Sequence, residues 1–124
     1  MELSRDLPAD AATRIIRAYA AGSITTSHET VTHSVVLAAG SIAPWAPASA
    51  AAISVADIEQ LIALGPEVIL IGTGANLVFP SPSALAPARA RRIGIEVMDT
   101  GAACRTYNLL TTDGRKVVAG LLMI

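Results

Sequence analysis

The sequence predicts an α/β fold in which helices pack on a mixed β-sheet. The segment 13–37 is rich in β-branched residues, which favour strands. From residue 54 onward, helix-like and strand-like segments alternate, and this order is typical of α/β proteins. The run Val68-Ile69-Leu70-Ile71 is apolar without interruption, as expected of a central parallel strand that is covered on both faces.

The N-terminal part is expected to be rich in β-strands. Residues 1–12 are predicted to be a loose lead-in. The segment 13–37 is interrupted by Gly22 and contains a half-polar stretch at 24–33, so at least one of its strands should be exposed. We expect two or three antiparallel strands here, with the apolar segment 35–37 buried on both faces.

The segment 40–52 is predicted to be a loop, because it is rich in proline and alanine. It carries Trp45, the single tryptophan of the chain. A tryptophan side chain is costly to expose to water. We therefore expect Trp45 either to pack over the sheet or to fill an interface with a partner.

The first helix is predicted at Ser54–Leu64. Ser54 and Asp57 have the spacing of a capping box, and Gly65-Pro66 is a typical C-terminal stop. Apolar residues recur between these signals at helical spacing, namely Val55, Ile58, Leu61 and Ile62.

A second helix is predicted within Pro82–Arg92. Proline is tolerated in the first turn of a helix, as at Pro82, but Pro87 predicts that the first half of this helix is irregular. Gly94 is expected to close the segment.

A third helix is predicted near Ala102–Leu110, and Asp99 or Thr100 can cap its start. Its inner stripe should consist of Ala103, Tyr107 and Leu110. Strands are expected on either side of this helix in the sequence, at Ile95–Met98 and Val117–Ile124.

The composition excludes several classes of function. The 124 residues suit a single domain spanning 1–124, and the formal charge of −1 gives no electrostatic basis for binding nucleic acid or an anionic membrane. One cysteine permits neither an intramolecular disulfide nor a metal site built on several thiols. The start shows no basic and apolar leader, so we expect a cytoplasmic protein without membrane insertion. The abundant alanine and arginine suit a GC-rich genome. No cofactor is predicted.

Gly72-Thr73-Gly74 follows the predicted central strand. A dinucleotide fingerprint needs a third glycine three residues later, and that position is Leu77. The simpler explanation is a sharp turn with a left-handed residue. The other is a place where the backbone approaches a ligand.

Asp99-Thr100-Gly101 lies at the end of the next strand. If the two strands are parallel neighbours, both loops lie at the carboxyl edge of the sheet, where α/β proteins bind ligands. The free N–H groups at the start of the third helix, together with Arg105, could hold a small anion there. Alternatively, Asp99 or Thr100 only caps the helix and Arg105 is a surface residue.

Cys104 is a candidate reactive thiol, because a helix N-terminus and a neighbouring arginine lower the pKa of a cysteine. A free cysteine is, however, more often a small buried hydrophobic residue. His28 and His33 could serve as a base or share a metal, but two ligands without a third do not make a metal site.

Three separated motifs resemble one family. They are residues 66–74, 92–100 and 102–110, in this order and at compatible spacing. They resemble the family called domain of unknown function 498, which has the Mth938-like fold. This resemblance implies three layers, with a central mixed sheet, helices on its faces and additional β structure on one side.

The family includes the mitochondrial complex I assembly factor 3. The resemblance therefore favours a non-enzymatic accessory or assembly protein, with a membrane-complex subunit as a candidate partner and a patch around Trp45 as the contact. The alternative is a protein or enzyme that binds a small anionic ligand at the carboxyl edge of the sheet, through Gly72–Gly74 and Asp99–Arg105. Thiol chemistry at Cys104 is a third hypothesis.

Overall fold

The structure is a computed structural model that describes residues 12–124. The lead-in predicted at 1–12 lies, except for its last residue, outside the described part. In chain order the elements are β1 Ile16–Ala20, β2 Ser23–Thr26, β3 Thr30–Val31, β4 Val35–Ala38, β5 Ser41–Pro44, a 3-10 helix Ala50–Ala52, α1 Val55–Ile62, β6 Val68–Thr73, α2 Pro82–Ala90, β7 Gly94–Met98, α3 Thr100–Thr112 and β8 Val117–Leu122.

The first three strands form an antiparallel sheet in the order β1-β2-β3. Gly22 lies in the tight turn between β1 and β2 with φ +82°, a conformation that glycine adopts without strain. The predicted N-terminal β structure is therefore confirmed. β4 follows in sequence but joins the larger sheet.

The larger sheet has five strands in the order β5-β4-β8-β6-β7. β6 runs parallel to both of its neighbours, β8 and β7, as the apolar run at 68–71 predicts. β4 pairs antiparallel with β8 and with β5, so the sheet is mixed. The chain thus alternates strands and helices through the parallel part and closes the sheet with the last strand in the middle.

The prediction of a loop over 40–52 is wrong at its start, because β5 pairs with β4 from Ser41 to Pro44. β5 is an edge strand, and an edge tolerates a proline that cannot donate a ladder hydrogen bond. The later part contains only the short 3-10 helix.

α1 begins as predicted. The Asp57 N–H donates to Ser54 Oγ at 3.3 Å, and the Ser54 N–H donates to Asp57 Oδ2 at 2.9 Å, which completes the capping box. The chain leaves the helix through Gly65, whose φ is +69°.

α2 corrects two expectations. The helix is continuous from Pro82 to Ala90, with Ser81 as its N-cap, so Pro87 does not disrupt its first half. The helix hydrogen bond that Pro87 cannot make would end on Ser83, which is exposed and can use water instead. The left-handed residue that ends the helix is Arg92, with φ +59°, while Gly94 starts β7.

The five-stranded sheet is the middle of three layers. One face packs against α1 and α2 through a cluster that includes Ile58, Leu85 and Ile71. The other face packs against α3 and the three-stranded sheet through a cluster that includes Leu70 and Tyr107. The fold class expected from the sequence is confirmed.

Trp45 belongs to the first cluster and is 4% exposed. Its ring lies over Gly120 of β8, where an added Cβ would come within 2.7 Å of the indole. The indole Nε1–H donates to Asp57 O at 3.3 Å. Of the two expectations for this residue, packing over the sheet is therefore correct, and Trp45 contributes no exposed patch for a partner.

Candidate functional site

The ends of β6 and β7 lie next to each other at the carboxyl edge of the sheet, because the two strands are parallel neighbours. The Thr100 N–H, one residue into α3, donates to Gly74 O at 2.9 Å. The structure thus brings together two of the segments that the sequence marks as candidates.

Thr100 is fully buried, and its side chain links the end of β6 to the end of β8. Its hydroxyl accepts the Gly74 N–H at 2.8 Å and donates to Leu122 O at 2.6 Å. Gly72 leaves no room for a larger residue, since an added Cβ would lie 2.9 Å from Thr100 Oγ1. Gly74 has φ +94°. The close approach of α3 thus explains Gly72, and the left-handed turn explains Gly74.

Asp99 is the N-cap of α3. Its Oδ1 accepts the Ala102 N–H at 2.9 Å, and its carbonyl oxygen accepts the Ala103 N–H at 2.9 Å. The capping bond to the Ala102 N–H and the bond of the Thr100 N–H to Gly74 O thus occupy two of the free N–H groups at the start of α3 that could otherwise hold an anion. Capping is the role that the geometry shows for Asp99.

Thr73 organises the loop that follows β6. Its hydroxyl donates to Asn76 O at 2.6 Å and accepts the Val78 N–H at 3.2 Å, and it also lies 3.3 Å from Met98 O. The side chain is 8% exposed. The buried hydroxyl of Thr73 therefore holds the loop between Gly74 and Pro80 in a defined conformation.

This loop presents three consecutive apolar side chains to solvent. Leu77 is 52% exposed, Val78 is 46% exposed and Phe79, the single phenylalanine of the chain, is 70% exposed. Sequence analysis missed these residues as site candidates. The signal was present, since an apolar triplet lies between the predicted turn at Gly74 and Pro80, but hydrophobicity alone predicts burial.

Arg105 does not join the glycine turns. Its Nη1–H donates to the hydroxyl of Tyr19 in β1. The ring of Tyr19 also covers Gly101, where an added Cβ would lie 3.0 Å from Tyr19 Cε1 and 3.4 Å from Asp99 Oδ1. Gly101 thus allows β1 to pack closely on α3, and Arg105 lies in a cleft between these two elements.

Cys104 is 1% exposed and packs in the cluster beneath α3. Burial raises the pKa of its thiol to about 12, and the opposing effect of Arg105 is smaller. The thiolate, which is the reactive form, is therefore suppressed at neutral pH. The hypothesis of a reactive thiol is wrong because the side chain lies inside the core and not at the surface of the helix N-terminus.

The two histidines lie on the surface of the N-terminal part and hydrogen bond locally. His28 Nδ1 contacts Ser27 Oγ at 2.9 Å, and His33 Nδ1 contacts Ser34 O at 3.1 Å. Within residues 12–124, no three His, Cys, Asp or Glu side chains are grouped so that they could hold a metal ion. In the same part of the chain, no helix combines the length and the apolar character needed to span a bilayer.

A model of the family described as protein of unknown function (DUF498/DUF598) matches residues 16–122. The chain belongs to the DUF498/DUF598 family. The resemblance of the three motifs is therefore confirmed, and this family match covers β1 to β8.

Solved structures of DUF498 relatives have the same fold. A crystal structure of a Bordetella parapertussis protein superposes with a TM-score of 0.86 at 36% identity, covering 91% of this chain and 98% of that one. A solution structure from Bordetella pertussis, described as a Mth938-like domain, gives a TM-score of 0.81 at 32% identity, covering 99% of this chain and 92% of that one.

A curated relative carries a functional name. The zebrafish (Danio rerio) NADH dehydrogenase [ubiquinone] 1 alpha subcomplex assembly factor 3 is 35% identical over 83 residues, which are 65% of this chain and 48% of that protein. The matched region therefore spans about half the length of this relative.

Proposed function

We propose that this DUF498 protein is a non-enzymatic accessory or assembly protein that binds a protein partner through the loop Leu77-Val78-Phe79. The observation that carries the proposal is the exposure of three consecutive apolar side chains at the carboxyl edge of the sheet. Contiguous apolar surface on a folded protein marks a place where another molecule binds. The proposal keeps the cytoplasmic location that the sequence suggests.

The geometry of the loop suits binding. Thr73 holds the backbone of the loop at Asn76 and Val78, so its apolar tip is ordered before contact. An ordered loop loses less conformational entropy on association than a flexible one does. Phe79 projects furthest into solvent, and aromatic residues are enriched among the residues that dominate binding energy at interfaces.

The names of relatives support a partner that is a protein. The zebrafish relative is named as an assembly factor of an NADH dehydrogenase subcomplex. We therefore propose a subunit of a membrane complex as the partner. The alternative, an anionic ligand at the glycine turns, is less well supported, because Gly74, Asp99 and Thr100 form hydrogen bonds with one another or with neighbouring backbone.

The test is site-specific photo-crosslinking in cells that express the protein natively. A photoreactive amino acid is placed at position 79 in one variant and at position 109 in a control. Leu109 is a matched control, because it is also apolar and also 70% exposed but lies on α3. Products are isolated after detergent solubilisation and identified by mass spectrometry.

The proposal expects a discrete adduct from position 79 that is absent from position 109, and loss of that protein from a pull-down with Phe79→Ser. Equal labelling at both positions, or no adduct at position 79, contradicts it. Because Phe79 is exposed, Phe79→Ser should leave the urea unfolding midpoint unchanged, which separates lost binding from lost folding.

A further inference from the structure

A cleft of about 240 Å³ lies between β1 and α3. Arg17 and Tyr19 contribute to it from β1, and Arg105 contributes from α3. The buried residues Ile16 and Cys104 also line it, so part of its surface is apolar. Among the described residues, the lining contains two cations and no carboxylate.

An irregularity in β1 shapes this cleft. The register with β2 shifts between Ile16 and Ala18, which makes Arg17 the extra residue of a β-bulge. In a regular strand, neighbouring side chains point to opposite faces. At this bulge the consecutive residues Arg17 and Ala18 are both exposed, and residues 16–19 all contribute atoms to the lining of the cleft. Bulges re-aim side chains in this way and are common beside binding sites.

Arg105 is positioned by one hydrogen bond and keeps further N–H donors for a ligand. Its Nη1–H donates to Tyr19 OH, while a guanidinium has five N–H donors in total. The Tyr19 hydroxyl, having accepted this bond, keeps its own proton for a further acceptor. The pair therefore presents several donors on one side of the cleft.

Among the described residues, the two arginines of the cleft differ from other arginines in their ion pairing. Three arginines elsewhere pair with glutamates, namely Arg14 with Glu29, Arg91 with Glu59 and Arg115 with Glu67. Arg17 and Arg105 have no ion pair within residues 12–124. Asp99 Oδ1 and the Tyr19 ring both lie beside Gly101; the carboxylate accepts the Ala102 N–H and forms no ion pair with either arginine among the described residues.

We propose that this cleft binds a small anion with a phosphate or carboxylate group, held by Arg105 and Arg17 with Tyr19 as an additional donor. The planar fork of arginine donors matches both groups. The cleft is slightly smaller than typical pockets for drug-sized ligands, which suits a small ligand. This site is separate from the proposed partner loop and does not depend on it.

The experiment is a titration of the isotope-labelled protein followed by amide chemical shifts in NMR spectra. The probes are inorganic phosphate in one arm and citrate in the other, both at constant ionic strength maintained with sodium chloride. The proposal expects saturable shifts confined to residues 16–19 and 104–108. Comparison of the two arms shows which of the two anionic groups the cleft prefers.

Variants make the result specific. Arg105→Ala should weaken binding about tenfold or more, and Tyr19→Phe should weaken it less, since it removes one donor. Arg91→Ala is the matched control, because it removes the same charge from an exposed site on another face of the sheet. The proposal is overturned if neither probe gives saturable shifts, or if Arg105→Ala and Arg91→Ala bind the probes equally. The unliganded spectra verify that each variant is folded.

Discussion

The side chain of Asn108 makes both backbone hydrogen bonds of Ile16. Its Oδ1 accepts the Ile16 N–H at 2.7 Å, and its Nδ2–H donates to Ile16 O at 2.7 Å. Asn108 in α3 thus replaces a neighbouring strand along the free edge of β1. This pairing attaches the small sheet to the rest of the fold and positions one wall of the cleft between β1 and α3.

Asn108→Ala should lower the free energy of unfolding by about 1–3 kcal/mol, because it leaves two backbone groups of Ile16 without partners. Urea denaturation followed by circular dichroism measures the change. Asn76→Ala is the control, since Asn76 lies exposed in the loop after β6 and only its carbonyl oxygen bonds Thr73. Equal midpoints for the two variants would show that the Asn108 contacts contribute nothing.

Gly120→Ala should destabilise the protein by about 1–3 kcal/mol, because the new methyl group overlaps the Trp45 ring. Gly40→Ala provides the comparison, as an added Cβ there meets no atom within 4 Å. A second substitution, Trp45→Phe, shortens the side chain and removes the outer indole atoms that the new methyl group would meet. The double variant should therefore recover part of the lost free energy of unfolding, which a double-mutant cycle measures as a coupling energy. Additive effects of the two substitutions would rule out this overlap as the cause.

Arg92→Gly should stabilise the protein by about 0.5–1 kcal/mol. Arg92 adopts a left-handed conformation at the end of α2, and the Ile93 N–H reaches back to Ala88 O at 3.0 Å as this type of helix end requires. Glycine relieves the strain, although its greater freedom in the unfolded chain offsets part of the gain. Thermal and urea unfolding measure the difference.

A glycine substitution about one turn earlier in α2 should instead lower the free energy of unfolding. Arg89→Gly places glycine inside the helix and should destabilise by about 1 kcal/mol. A loss of stability with Arg92→Gly would mean that the arginine side chain makes a contribution larger than the backbone strain.

Stability should fall at alkaline pH. Burial raises the pKa of Cys104 and of Tyr107 to about 12 each, so above about pH 9 the unfolded chain releases protons that the folded protein keeps. The free energy of unfolding therefore decreases as pH rises from about 9 to about 12, by at most about 1.4 kcal/mol per pH unit for each group. Below about pH 7 neither group contributes a pH dependence, because both are protonated in the folded and the unfolded state.

Urea unfolding at pH 8, 9, 10 and 11 under reducing conditions tests this. Cys104→Ala removes one titrating group and should flatten the slope between pH 9 and 10, where the unfolded thiol titrates first. A slope that is unchanged in this variant would show that the Cys104 thiol ionises equally in both states. Alkylation of the wild-type thiol at neutral pH should also be slow until urea unfolds the protein.

Local signals explain which parts of the fold could be predicted from the sequence. The capping box of Ser54 and Asp57 and the unbroken apolar run of β6 are encoded by neighbouring residues, and both are found in the structure. β5 could not be predicted this way, because it pairs with β4 alone among the described strands and its composition resembles a loop. Arg92 was missed because nothing nearby in sequence marks a left-handed arginine.

The cleft between β1 and α3 was harder to predict, because the residues that form it are distant in the sequence. Arg105 and Tyr19 are separated by 86 positions, so no motif joins them. Thr100 was placed beside Gly74 correctly, but only because the order of strands and helices implied a shared edge. The exposure of Phe79 depends on the hydrogen bonds from Thr73 to the backbone of its loop. The hydrophobicity of the sequence does not predict these bonds.

The position of β8 has a consequence for synthesis. Among the described residues, β8 lies between β4 and β6 in the sheet and follows both of them in the sequence. A ribosome that has not yet released residues 117–122 therefore carries two half-sheets, each with an unpaired strand edge beside the missing centre. Such edges attract chaperones and other nascent chains. The native sheet is therefore completed only after residues 117–122 have left the ribosome.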